Sequence, residues 1–166
     1  MSLTDNTVFI GIGSNMADPV AQVQSAFVAL NAHPELDLIR ESSLYRSPPM
    51  GNLVQADYVN AVAEVSTVTD NAALLKHLQA IELAHGRIRA SEKWGPRTLD
   101  LDILLRGAVL VESETLTIPH PGLLQRAFVI LPLAEIAPKL ILPNGLSASA
   151  AAKLFADTGV VRVSNE

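Results

Sequence analysis

The sequence predicts an α+β sandwich with the ferredoxin-like element order β-α-β-β-α-β. Two observations predict it: short apolar runs alternate with longer segments of helical period, and Gly, Pro and Asp punctuate the junctions. This order is typical of an antiparallel sheet with helices packed on one face, here followed by extra C-terminal helical segments. The length of 166 residues fits one hydrophobic core, so we expect a single domain spanning 1–166.

The first half of the chain predicts a strand, a helix and a second strand. Residues 8–12 are apolar and mostly β-branched, which indicates a buried strand. Asp18 and Pro19 have the residue types of a helix N-cap and a first helical position. Apolar residues then recur at intervals of three or four, as on an amphipathic helix. Residues 36–45 supply the second strand.

The middle of the chain predicts a third strand and a second helix. The segment 47–52 holds two prolines and a glycine, so we expect a stiff, exposed loop. Residues 58–65 resume strand character. Thr69 or Asp70 then caps a helix that ends near Gly86.

The last strand of the sheet is expected at 99–105, after a polar loop over 87–98. A turn then leads into a short return strand at 109–111. After Pro119-His120-Pro121 the chain is expected to be mostly helical or irregular through Ala137, with an Ala-rich terminal helix at 147–152.

The composition narrows the class of function. Hydrophobic residues make up 49% and charged residues 17%, which is typical of a folded domain. The net charge of -5 argues against the basic face that nucleic acids or membrane surfaces require. The lack of cysteine excludes disulfides and thiolate sites, and no apolar run approaches the roughly 20 residues of a membrane helix. We find no secretory signal and expect a cytoplasmic protein.

Asp100 and Asp102 are the strongest functional signal. Because strand side chains alternate, the odd-numbered residues of 99–105 are expected to face the core, while the aspartates and Leu104 face the other way. The carboxylates are then about 6.6 Å apart, from a rise of about 3.3 Å per residue. Mg²⁺ takes one or two carboxylates with waters and phosphate oxygens, so the pair suits it. The alternative is an edge strand whose outer face is merely polar.

The loop before this strand carries cations that suit phosphate. Just upstream of the aspartates stand Arg87, Arg89, Lys93 and Arg97. Cations beside carboxylates are the usual arrangement for transfer from a nucleoside triphosphate, although a solvated loop paired with acidic residues is the alternative. Trp94, the only tryptophan, could close over a flat ligand as a lid instead of packing in the core.

Two weaker signals define no separate site. Gly11-Ile12-Gly13 begins like a dinucleotide fingerprint, but Met16 stands where the third glycine belongs and no Walker sequence occurs. The glycines are expected to let the strand end turn tightly, near a ligand. His120 lies between two prolines, where it could contact a phosphate or be structural, and the other histidines have no metal-ligand spacing with it.

A long set of segments matches one known family. Its most specific piece is the run from 86 to 103, which contains Lys93-Trp94-Gly95-Pro96-Arg97-Thr98 and then Leu99-Asp100-Leu101-Asp102-Ile103. Supporting pieces lie at 11–15, 43–51, 57–61, 79–82, 118–121 and 126–128. Over roughly residues 9–138 the chain resembles the 6-hydroxymethyl-7,8-dihydropterin pyrophosphokinase family of folate biosynthesis.

The resemblance implies transfer of diphosphate from ATP to the hydroxymethyl group of the pterin, with release of AMP. It implies two Mg²⁺ ions held by Asp100 and Asp102, which with Arg89 and Arg97 form the catalytic group. The residues implied at ATP are Gln79, Glu82, Arg89, Lys93, Trp94, Arg97, Ile103, Thr117, His120 and Arg126. The residues implied at the pterin are Ser47, Pro48, Met50, Tyr58, Asn60, Trp94, Asp100 and Phe128. The implied partners are these two small molecules, without nucleic acid or membrane, and the chain is expected to act as a monomer.

The implied pterin residues make chemical sense. Asn60 offers a donor and an acceptor to the amide-like edge of a pterin, and Tyr58 and Phe128 can flank its flat ring. Without the resemblance, plain core packing is the expected role of Phe128, and a bond to backbone is an equal alternative for Asn60.

The sequence departs from the family pattern at four positions. Lys93 stands where an Arg is expected. A lysine contacts a phosphate as a point charge, whereas an arginine can donate two parallel hydrogen bonds to it. Thr115 replaces a basic residue of some relatives, and Leu124 and Gln125 replace a His-Glu pair. These departures put local nucleotide contacts in doubt.

Two rival functions stay open at this stage. A ferredoxin-like module could bind RNA or a regulatory ligand on its sheet without catalysis, with Tyr58 and Phe128 as stacking platforms. The acidic composition disfavours it. A different metal-dependent nucleotide transferase on the same fold is the other alternative.

Overall fold

The computed structural model describes residues 4–16, 18–47, 57–86, 98–156 and 158–163. Its strands are β1 (Thr7–Ser14), β2 (Asp37–Glu41), β3 (Tyr45–Ser47), β4 (Tyr58–Ser66), β5 (Asp100–Arg106), β6 (Val111–Glu112), β7 (Thr117–Ile118) and β8 (Val161–Arg162). Its helices are α1 (Pro19–Ala32), α2 (Asn71–Ala84), α3 (Ala127–Ile136) and α4 (Ala148–Ala152), followed by a 3-10 turn at Lys153–Phe155.

The main sheet is antiparallel, with strand order β5-β1-β4-β3-β8 and β2 also paired to β4. β4 therefore lies between β1 and the strand that follows α1, which is the split arrangement of a ferredoxin-like fold. The predicted fold class is confirmed. The element order along the chain also agrees with the prediction through β5.

The predicted strand over 36–45 is divided into β2 and β3, which pair with successive parts of β4. The division occurs at Ser42, whose N–H donates to the Val62 carbonyl at 2.9 Å. The Val62 N–H donates in return to the Ser42 hydroxyl, also at 2.9 Å. A side-chain oxygen thus takes the place of a backbone carbonyl, so the two strands together occupy one position in the sheet.

Helices cover both faces of this sheet. The core on one face includes Val23 and Phe27 of α1 and Leu74 and Leu78 of α2. The core on the other face is built by α3 and α4 and includes Phe9 of β1. The sequence pattern predicts the C-terminal helices but not the face that they cover.

The predicted alternation of β5 is right up to Ile103 and wrong at Leu105. The register with β1 shifts between Phe9 and Ile10, so that Leu104 is left between paired residues. A bulge of this kind reverses the phase of the side chains that follow. Leu104 and Leu105 therefore both pack into the α3 and α4 core.

The helix caps agree with the predictions, whereas the return strand does not. Asp18 and Asp70 accept N–H bonds from Ala21 at 3.3 Å and from Ala73 at 2.8 Å. The predicted strand at 109–111 is replaced by β6, which pairs only with β7 in a separate hairpin within the described chain.

No helix in the described ranges is long and apolar enough to cross a membrane.

Candidate active site

The two aspartates lie on alternate positions at the start of the edge strand β5. Asp100 is opposite Gly13 of β1 and Asp102 is opposite Gly11. Both are partly exposed, the Asp102 side chain to 38%. They share the sheet face that α3 covers further along, because Leu104, two residues on, packs in the α3 core. An edge strand thus presents two carboxylates at the rim of a core.

Gly11 and Gly13 form a strip without side chains between the aspartates and β4, and the side chains of Leu104 and Asn60 lie over it. A Cβ atom at Gly13 would lie 2.8 Å from Oδ1 of Asn60 and 4.0 Å from the Tyr58 ring. The predicted tight turn is wrong, because β1 continues to Ser14 and neither glycine has a positive φ. What the position requires is a small side chain next to Asn60.

Three of the predicted pterin residues come together on the far side of this strip. Asn60 lies opposite Gly13, and Tyr58 lies opposite Ser47. The Asn60 amide donates to the Ser47 hydroxyl at 2.9 Å. Asn60 is 5% and Ser47 is 3% exposed. This hydrogen bond fixes the orientation of the amide, with its carbonyl oxygen toward Gly13.

The segment before α3 brings His120 to the carboxylates. Its Nε2 lies 3.9 Å from Oδ2 of Asp102, and its backbone N–H donates to the Leu104 carbonyl at 2.9 Å. The Gly122 N–H donates to its Nδ1 at 2.9 Å, so the proton of the neutral ring is on Nε2. Burial lowers the pKa of His120, and the charge of Arg126 lowers it further against the opposing effect of Asp100.

Arg126 and Phe128 lie at the start of α3, and the Arg126 guanidinium lies against Gly122, whose N–H binds this histidine. The Arg126 guanidinium carbon lies 5.7 Å from the centre of the Phe128 ring, within range of a cation–π contact. Phe128 is partly buried against the α3 and α4 core. Phe128 therefore packs against the core, as its residue type alone predicts. This packing is also compatible with the role at the pterin that the resemblance implies.

A cleft of about 250 Å³ opens beside β5, between α2 and the β6–β7 hairpin. Four predicted site residues line it, namely Asp102, Ile103, Thr117 and His120. Leu75, Ser113 and Leu116 also line the cleft. The sequence did not predict them as cleft residues, because their types are ordinary for a helix core and a turn. A larger cavity of about 590 Å³ at the opposite edge, around Glu41 and Glu135, contains none of the predicted residues.

Gln79 and Glu82 lie on α2 and, within the described chain, do not line this cleft. Glu82 is 3% exposed, and its Oε2 accepts the Leu101 N–H at 2.8 Å. This bond satisfies the N–H of Leu101, which lies on the outer edge of β5 between Asp100 and Asp102. Glu82 therefore anchors the strand that carries them.

Six predicted site residues lie outside the described ranges. They are Pro48, Met50, Arg89, Lys93, Trp94 and Arg97. Among the residues that the structure describes, no group of three or more His, Cys, Asp or Glu could hold a metal ion. A carboxylate pair is nevertheless sufficient for Mg²⁺ when phosphate oxygens and water complete the shell.

The fold has close structural counterparts. The protein is similar to an HPPK-DHPS in complex with substrates, with a TM-score of 0.69 at 12% identity over 92% of this chain. It is also similar to the wild-type Plasmodium falciparum HPPK-DHPS, with a TM-score of 0.68 at 13% identity over 90% of this chain. The chain spans 43% and 41% of these longer chains, and at such identities the likeness shows the fold.

Sequence comparison identifies the family. The chain is 45% identical to the 2-amino-4-hydroxy-6-hydroxymethyldihydropteridine pyrophosphokinase of Haemophilus influenzae, over 95% of this chain and 98% of that protein. It is 48% identical to the protein of the same name from Pseudomonas aeruginosa, over 83% of this chain and 85% of that one. The pattern of 7,8-dihydro-6-hydroxymethylpterin-pyrophosphokinase (HPPK) matches residues 9–138. The chain belongs to the HPPK family.

Proposed function

We propose that this chain transfers diphosphate from ATP to the hydroxymethyl group of 6-hydroxymethyl-7,8-dihydropterin, with release of AMP, in folate biosynthesis. The observation that carries the proposal is the position of the aspartates between a cleft and a cluster of polar side chains on β3 and β4. Asp102 lines the cleft beside β5, while Asp100 is separated from Asn60 only by Gly13. A phosphate chain in the cleft and an alcohol beside this cluster would meet at the carboxylates.

The cleft is the proposed ATP site. Leu75 and Leu116 offer apolar surface to a flat base, and Ser113 and Thr117 offer hydroxyl groups. His120 at its rim carries an Nε2 proton that can be donated to a phosphate oxygen. Arg89, Lys93, Arg97 and Arg126 are the proposed cations for the rest of the phosphate chain.

The end of this strip at Gly13 is the proposed pterin site. Asn60 is held by Ser47 with its carbonyl oxygen toward the strip, where it can accept from an N–H of the pterin edge. Tyr58 and Phe128 are the proposed ring neighbours, with Pro48, Met50 and Trp94 completing the pocket. A ring lying here is next to Asp100.

Asp100 and Asp102 fit Mg²⁺, because they are partly exposed carboxylates side by side on one strand. We propose that they hold two ions. When bound, Mg²⁺ supplies charge neutralisation to the phosphate oxygens. The residues of the chain then contribute by binding and orienting the two substrates, and positioning of this kind accounts for much of phosphoryl-type catalysis.

We also propose that 1–166 is one pyrophosphokinase domain, that it acts as a monomer and that it works in the cytoplasm. The continuous six-stranded sheet with a core on each face supports the first point.

The proposal is tested by following AMP from ATP and Mg²⁺ with and without the pterin alcohol. We expect AMP only when the pterin is present, since the acceptor completes the site. Formation of ADP, or no AMP with pure pterin substrate, would contradict the proposal. A panel of other alcohol acceptors separates this activity from a different nucleotide transferase on the same fold.

A further inference from the structure

We propose that Gly122 is a positioning residue for nucleotide binding: the missing side chain at this position sets where the guanidinium of Arg126 lies. The inference rests on the proposed function, because it concerns the same phosphate site. Gly122 itself contacts no substrate in this account. It acts through Arg126.

The contact between the two residues is unusually close. A Cβ atom at Gly122 would lie 2.6 Å from Nε and 2.7 Å from Cζ of Arg126, and 3.1 Å from its Cδ. Non-bonded carbon and nitrogen atoms normally stay beyond about 3.5 Å. The guanidinium therefore occupies the volume that any other residue would fill with its side chain.

The backbone at Gly122 does not itself require glycine. Its φ is not positive, so an alanine can adopt the same conformation without strain. Alanine also keeps the N–H that donates to Nδ1 of His120. The expected effect of Gly122→Ala is thus a displacement of the flexible Arg126 side chain, with the turn intact.

The displaced group lies next to the segment that lines the proposed nucleotide cleft, because His120 and Pro121 line that cleft and Gly122 follows them directly. The guanidinium of Arg126 lies against Gly122, and its Cζ is 5.7 Å from the centre of the Phe128 ring. Its charge reaches His120, whose pKa it lowers, and His120 lines the cleft. A guanidinium offers its donors in a rigid planar fork, so its value for a phosphate depends on where that fork points.

The test is a double-mutant cycle on the full chain. Binding of a non-hydrolysable ATP analogue with Mg²⁺ is measured by calorimetry for the wild type, Gly122→Ala, Arg126→Ala and the double variant, and thermal unfolding is measured for each. We expect Gly122→Ala to weaken binding about tenfold, which is about 1.4 kcal/mol, with an unchanged melting temperature. In the Arg126→Ala background the same change should have no further effect, because the displaced group is absent.

Two results would overturn the inference. One is wild-type affinity in Gly122→Ala. The other is an equal loss from Gly122→Ala with and without Arg126, which would make the glycine independent of the arginine. Since binding is read without turnover, these outcomes are distinct from failure of the proposed reaction, which shows as ATP binding without AMP formation when the pterin is added.

Discussion

At the scale of the residue, the proposed chemistry depends on two carboxylates that share one side of an edge strand. Asp102 lines the proposed nucleotide cleft, and its Oδ2 lies 3.9 Å from Nε2 of His120. Replacing Asp102 by Asn keeps the size and removes the charge that a cation needs. We expect kcat/KM to fall by at least about 100-fold, the upper range for loss of groups that merely support metal ligands.

The matched control is Asp37→Asn, an exposed carboxylate of β2 opposite Ser66, at the other end of the sheet. It should retain wild-type kinetics. Circular dichroism and thermal unfolding confirm that both variants fold. Near-full activity in Asp102→Asn would remove Asp102 from the metal site.

A second residue, Arg106, tests stability apart from the site. It is 6% exposed and donates to the carbonyls of Asp5 at 2.7 Å and Thr69 at 2.6 Å, and to the Asn71 side chain at 3.0 Å. Arg106→Met leaves these acceptors without their donor, and we expect a loss of about 2–3 kcal/mol in the free energy of unfolding. ATP affinity should be unchanged, because Arg106 is at the far end of β5 from Asp100. A urea titration and a binding measurement check both parts.

Residue types alone revealed some of these roles and concealed others. Alternation placed Asp100 and Asp102 together, since strand geometry has a period of two. The roles of Gly13 and Gly122 were not predictable in this way, because a missing Cβ matters only when a distant side chain fills its space. The contact of Asn60 with Ser47 needed the β3–β4 register, which a local pattern does not contain.

At the scale of the element, β5 depends on α2 for its position. Glu82 accepts the Leu101 N–H at 2.8 Å from a buried site. In Glu82→Ala that donor is left unsatisfied, which should cost about 1–3 kcal/mol of stability and weaken ATP binding through a displaced Asp102. Glu82→Gln keeps an acceptor oxygen and should recover most of both. Chemical denaturation and calorimetry on the two variants measure this.

The pair of variants also separates two roles of Glu82. If Glu82 binds the nucleotide directly, as the family resemblance implies, Glu82→Gln should weaken ATP binding while its stability stays at the wild-type level. If Glu82→Gln recovers stability and ATP affinity to the same extent, the role of Glu82 is to anchor β5.

Element boundaries show where local pattern ends and tertiary structure begins. The helix caps at Asp18 and Asp70 were predictable, because capping is a property of neighbouring residues. The bulge at Leu104 was not, because it depends on the register with Phe9, almost a hundred residues earlier. The pairing of β6 with β7 was likewise not predictable, because an apolar run does not specify which strand it pairs with.

At the scale of the whole molecule, one sheet carries two cores. Apolar periodicity predicted that α1 and α2 would pack together on it. It did not predict that α3 and α4 would cover the opposite face, since α3 is apolar almost all round and shows no preferred side. That second layer includes Phe128, and Arg126 directly precedes α3.

The packing of α1 beside α2 gives the molecule an acid-sensitive contact. The rings of His33 and His77 have centres 4.4 Å apart, and Nδ1 of His33 accepts the Glu35 N–H at 3.0 Å. Desolvation lowers the pKa of His33 below its ordinary 6.5, and His77 lowers it further against the opposing effect of Glu35. The unfolded chain therefore binds more protons than the folded one just below pH 6.5. The free energy of unfolding decreases as the pH is lowered through this range.

The corresponding variant is His33→Asn, which can still accept the Glu35 N–H but does not titrate. Free energies of unfolding measured from pH 7.5 down to 5.5 should fall more steeply for the wild type than for this variant. Toward pH 7.5 the contribution of His33 to the slope should diminish, because the histidine of the unfolded chain loses its proton there as well. Identical slopes across the range would show that His33 does not carry the effect.

The central claim is that ATP gives up its two terminal phosphates together, at the aspartates, to a pterin alcohol. The direct measurement uses ATP labelled separately at the β and γ phosphorus, with Mg²⁺ and the pterin. We expect both labels to appear in equal amount in the pterin product, with one AMP formed for each. Transfer of the γ label alone, with ADP as the other product, would contradict it.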